Sequence, residues 1–170
     1  DMQRLISPAA YAFGIWGAIY FLIGIFLVYQ ALPNDMVANR NDNLVYENGI
    51  GYNLSISMVC GTLWYLGYSI DTAWGHVFAL VAIVGMLVTA AIMMVTSLNY
   101  TTNVIELVSM RVGFSLYAGW LTAATILQTT TVLQAFGVSD ATLPWGLTEE
   151  IVTIMVAWIA FVVYEVGAYT

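Results

Sequence analysis

With 170 residues, 61% of them hydrophobic and only 8% charged, the chain has too little charge to cover a water-soluble domain, in which about a quarter of residues are charged. It has no lysine, and Arg4, Arg40 and Arg111 are its only basic residues besides one histidine, for a net charge of −7. That balance excludes nucleic acid as a partner, which needs basic patches to displace counterions, and excludes polybasic docking on anionic headgroups. The expectation is a single domain over residues 1–170 whose solvent is lipid, an all-α integral membrane protein.

A hydrocarbon core is crossed by about 20 apolar residues in a helix, and five runs approach or exceed that length. The first covers about 8–32, opened by Ser7-Pro8 as cap and first-turn proline and closed by Pro33. It is too long for the core of a signal peptide and carries Trp and Tyr throughout. A polar stretch, 33–48, rich in asparagine and holding Asp35, Arg40, Asp42 and Glu47, reads as the main extramembrane loop. The second run is about 49–69, and its Cys60, the sole cysteine, reads as a small core hydrophobe. The third, about 74–98, follows Asp71-Thr72 as caps. The fourth, about 104–136, opens with Asn103-x-x-Glu106, a capping-box pattern, and is longer than a bilayer requires. The fifth, about 148–169, follows Pro144-Trp145-Gly146 and begins with Glu149-Glu150, acids suited to a helix N-terminus. Trp74 and Trp145 fall at the expected interfaces, where indoles are favoured. Three arginines are too few to orient the chain by charge.

At 100° per residue, three of these runs gather aromatic, small and polar residues on one stripe. The first places Phe13, Trp16 and Tyr20 on one face and the small residues Ala10, Gly14 and Ala18 on another, a seam that lets helices approach closely in lipid. The second aligns Asn53, Ser57, Gly61, Trp64 and Tyr68, and the fourth aligns Gly113, Tyr117, Trp120, Ala124 and Gln128. Such stripes serve either ordinary helix packing or a slot for a planar ligand, with indole as wall, a small residue for room and an amide for orientation.

The richest stripes also resemble the tryptophan-rich sensory protein/translocator family. Phe13-Gly14-Ile15-Trp16-Gly17-Ala18-Ile19-Tyr20 is similar to that family's Phe, Trp and Tyr segment, with one residue fewer between Phe and Trp. Leu116-Tyr117-Ala118-Gly119-Trp120, continuing through Ala124 to Leu127-Gln128, resembles a second family segment. There the Tyr, Trp, Ala and Leu match, while Leu116 replaces a proline, Ala123 a phenylalanine and Gln128 an asparagine. Gly61-Thr62-Leu63-Trp64 matches a third only at the tryptophan. The wording around Phe114–Trp120 resembles a divergent branch; the family's helix before the first segment is not supplied from Asp1 onward, which leaves an element before Asp1 open, and an extra run follows Trp120. The resemblance implies a bundle of about five helices, often dimeric, with a pocket for a tetrapyrrole or sterol-like molecule. Carried over residue by residue, Phe13, Trp16, Tyr20, Trp64, Tyr117, Trp120, Ala124 and Gln128 are the expected ligand-binding positions.

Other chemistry is sparse. Arg111 lies inside the fourth run and is expected to snorkel, or to pair with Glu106 or a loop acid; Glu165 is expected at an interface. His76, at the start of the third run, is either a haem-type ligand or simply hydrogen-bonded. No second histidine or Cys/Asp cluster completes a metal site, and no catalytic triad, P-loop or dinucleotide fingerprint is present. The expected function is therefore non-enzymatic: a membrane binding or carrier protein for a planar hydrophobic ligand, with lipids as neighbours. The alternative is an accessory structural subunit of a larger membrane complex. Mitochondrial, plastid and bacterial membranes all fit.

Overall fold

The computed structural model describes residues 14–33, 50–100 and 103–137. The expected fifth span, most of the polar loop, Phe13 and Trp145 lie outside the described residues. Among those residues every regular element is helical. α1 is Ile15–Ala31, α2 Asn53–Ser69 and α3 Ala73–Tyr100, and α4 is Val104–Ala135.

Helix ends follow local chemistry. Asn53 Nδ2 donates to the Ile50 carbonyl at 3.2 Å where α2 begins. Thr72 caps α3 as its position suggested, its Oγ1 accepting from the Gly75 N–H at 3.1 Å. Asn103 caps α4, its side chain accepting from the Glu106 N–H at 2.9 Å. Gly137, with φ of 75°, adopts after α4 the left-handed conformation that glycine tolerates best. Within α4, Leu107–Val112 winds as a π-helix before regular α geometry resumes at Gly113.

Among the described residues two helices, Ala73–Leu98 and Val104–Ala135, are long and apolar enough to cross a bilayer; α1, at 17 residues, is a shorter apolar helix. At 1.5 Å per residue α4 is on the order of 45 Å long, well beyond a hydrocarbon core of about 30 Å. The outward surface is the clearest sign of the solvent. Along α3 the exposed residues Trp74, Phe78, Val81, Val84, Val88 and Ile92 repeat at three- and four-residue spacing. A helix in water would carry charge on such a stripe.

The chain clusters into two compact units, one of Asp1–Ile6, Ser57–Leu87 and Trp120–Thr170, the other of Ser7–Ile56 and Val88–Gly119. In the first, α2 and α3 meet at glycines. Gly61 lies against Met86 and Gly85 against the sulfur of Cys60, which is half-buried and free. Their turn is tightest at Gly75, where a Cβ would collide with the Ile70 carbonyl and lie 2.9 Å from that of Gly67. In the second unit α1 buries Ile19, Ile23, Phe26 and Tyr29 and packs on Leu107–Val112. Phe26 meets Phe114 edge-on at 5.4 Å, and Gly113 brings α4 to within van der Waals contact of Leu22. Of the small-residue seam expected on α1, Ala10 lies outside the described residues. Gly14 and Ala18 are exposed, and a Cβ on Gly14 would meet nothing within 4 Å. The aliphatic side chains Ile19 and Ile23 supply the contact area instead.

Gly75→Ala is expected to destabilise the protein by about 1–3 kcal/mol through overpacking. Gly24→Ala, whose added methyl meets nothing within 4 Å, is expected to stay within about 0.5 kcal/mol. Thermal unfolding in mild detergent, followed by tryptophan fluorescence, measures both.

Candidate functional site

The expected ligand-binding residues fall into two groups, one in each unit. In the second unit Trp16 stacks on Tyr20, ring centroids 5.2 Å apart, and meets Tyr117 edge-on at 6.4 Å. Tyr117 is fully buried, whereas Tyr20 is 54% exposed. The α1 stripe and the α4 stripe thus share one aromatic cluster through Trp16 and Tyr117.

In the first unit Trp64 Nε1 donates to Gln128 Oε1 at 3.3 Å, and Gln128 Nε2 donates to the His76 carbonyl at 3.2 Å. Gln128 is only 4% exposed, so its amide links α2, α4 and α3. Trp64 also stacks on Tyr68 at 5.7 Å. Trp120 and Ala124, on the same α4 stripe, are half-buried. The threonines along this helix satisfy themselves locally: Thr125 donates to the Leu121 carbonyl and Thr129 to that of Thr125. Such back-bonding lets hydroxyls reside in an apolar medium.

Two polar clusters go beyond the expected positions. Glu106, which the sequence suggested chiefly as a capping residue, is fully buried. Its Oε1 accepts from the Tyr29 hydroxyl at 2.9 Å, and Asn103 Nδ2 donates to that same hydroxyl oxygen at 2.9 Å. Tyr29 is placed by one helical turn from Phe26, but nothing in a lone tyrosine at the end of an apolar run discloses a buried carboxylate as its partner. Arg111 is exposed, and the expected Arg111–Glu106 pairing is not formed among the described residues. The second cluster surrounds His76, which is 9% exposed. Its Nε2 lies 3.6 Å from Asp71 Oδ1 and its ring meets Tyr68 edge-on at 5.8 Å. Trp74, expected at an interface, is 76% exposed and packs edge-on against Phe136 at 5.8 Å.

A groove borders the aromatic cluster of the second unit. Tyr20, Phe21, Gly24, Ile25, Val28, Tyr29, Leu32 and Ile105 line about 620 Å³. Among the described residues no group of three or more His, Cys, Asp or Glu side chains could hold a metal ion.

Regular elements that are all helical among the described residues, an apolar exposed stripe on α3, buried polar links and aromatic clusters are the features of a helical membrane protein. A family model described as TSPO-like protein matches residues 1–170, and the chain belongs to that family. No curated protein and no solved structure matches it.

The Tyr29–Glu106 link generates a direct test. Tyr29→Phe removes a donor from a buried carboxylate and is expected to cost about 1–3 kcal/mol. Glu106→Gln, whose amide oxygen still accepts from Tyr29, is expected to lose less. Comparing the two melting temperatures in the same detergent decides the order.

Proposed function

We propose that this TSPO-like membrane protein binds, and carries within the membrane, a planar hydrophobic ligand of sterol-like or tetrapyrrole-like shape. The observation that supports this reading best is the groove on α1. Its volume of about 620 Å³ falls within the range of about 300–1,000 Å³ typical of small-molecule sites. Tyr20, Phe21 and Tyr29 supply flat aromatic area, and Gly24, beside which a Cβ would meet nothing, leaves the floor open. Trp16 backs Tyr20 by stacking, which holds that wall in place without spending ligand binding energy on ordering it.

The lining also narrows the ligand. Among the described residues it holds no Lys or Arg, and the polar side chains there are those of Tyr20 and Tyr29. Tyr29 already donates to Glu106. A molecule with one hydroxyl matches this lining better than one with several carboxylates, which would enter without a counter-charge. Binding energy would come from aromatic and aliphatic burial, with one hydrogen bond fixing orientation.

The test is titration of the chain in lipid nanodiscs with a fluorescent sterol and, separately, a porphyrin. Saturable binding is expected, tighter for the sterol, and Gly24→Trp is expected to weaken it at least tenfold with the melting temperature unchanged. Trp120→Leu is the companion variant. If it abolishes binding while Gly24→Trp does not, the groove is not the site. No saturable binding of either probe, together with fixed-stoichiometry co-purification in a large complex, would establish the accessory-subunit role instead.

A further inference from the structure

In the first unit, at the junction of α2 and α3, Tyr68, Asp71, Thr72, Ala73, His76, Thr131, Gln134 and Ala135 enclose a cavity of about 520 Å³. Unlike the α1 groove, this cavity is lined mainly by residues with polar side chains. It is independent of the site proposed above.

The hydrogen-bond inventory of the lining specifies what it accepts. Thr131 spends its hydroxyl proton on the Leu127 carbonyl at 3.0 Å, leaving oxygen lone pairs. Asp71 is fully exposed at the rim and is the only formally charged residue of the lining among the described residues. His76 Nε2 sits 3.6 Å from Asp71 Oδ1, just beyond a direct hydrogen bond, and Nδ1 is buried with no hydrogen-bond partner. Here the ring is held by other means. The Gly67–Gly75 approach fixes the turn, Gln128 grips the His76 carbonyl, and Tyr68 packs on the ring. Among the described residues the cavity therefore combines one anion, a positioned imidazole and hydroxyl oxygens, with no cation.

We propose that this cavity binds a ligand bearing a primary ammonium group. The group fits between Asp71 and His76, donating one N–H to the carboxylate and one to Nε2, which accepts in the neutral tautomer that carries its proton on Nδ1, and the third N–H is left for a hydroxyl oxygen of the lining. Tyr68, whose ring meets that of His76 edge-on at 5.8 Å, lines the same cavity. An anionic ligand would meet Asp71 with no counter-charge, and a neutral alcohol would offer one donor where the site has several acceptors. The amine is supplied either by a soluble molecule or by a lipid headgroup.

His76 is the only histidine of the chain, so isotopic labelling of histidine yields one ring signature that reports on this site. The full chain in phosphatidylcholine nanodiscs is titrated at constant pH with propylammonium, propanol and propionate. A saturable shift of the His76 ring resonances by propylammonium is expected, with the other two at least tenfold weaker. Asp71→Asn, a substitution at a fully exposed side chain, is expected to weaken the propylammonium response at least tenfold. Equal responses to the three probes, no saturable shift, or an unchanged response in Asp71→Asn would each overturn the assignment. Repeating the titration with phosphatidylethanolamine in the discs separates the sources. A fall in propylammonium affinity identifies the headgroup as occupant, and an unchanged affinity identifies a soluble amine.

Discussion

Helices surrounded by hydrocarbon gain little by burying apolar side chains against one another, because lipid tails are as apolar as leucine. What holds such helices together is close packing and the penalty for leaving a polar group without a partner. Both are visible here. Gln128 ties α2 to α3 through Trp64 and the His76 carbonyl, and Glu106 ties α4 to α1 through Tyr29. Each of these polar groups is paired across helices, and each pairing specifies a register that apolar contacts alone would leave loose.

Glycine supplies the other half of the packing, selectively. Gly67 and Gly75 allow the α2–α3 turn to close, Gly61 and Gly85 admit Met86 and Cys60, and Gly113 admits Leu22. Gly14, Gly17 and Gly24 have open space beside them. A glycine that is not filled by a neighbour leaves room on the helix surface. At Gly24 that room lies beside three aromatic rings.

The two cavities are chemically opposite, and each follows from its own unit. The α1 groove is aromatic and aliphatic, with a tyrosine hydroxyl engaged by Glu106. The cavity around His76 gathers hydroxyls, an amide, an imidazole and a carboxylate at the start of α3 and the end of α4. A family fold built on helix packing can carry both, because sites are grafted onto a scaffold by the few side chains that face them.

Composition and periodicity were enough to read a helical chain in lipid. An 8% share of charged residues cannot cover a surface in water, and the exposed valine and isoleucine stripe of α3 follows from that shortage. Thr72 and Asn103 as caps were equally legible, since capping is decided within four residues. The family was legible from Trp16, Tyr117 and Trp120 at their spacing. The partner of each polar side chain was not. Glu106 and Tyr29 are 77 residues apart, and Trp64 and Gln128 are 64 apart. Local sequence determines where a helix starts and which solvent it tolerates. Only the tertiary structure decides which polar groups meet, because those contacts depend on several helices at once and each must satisfy a group that lipid leaves unsolvated.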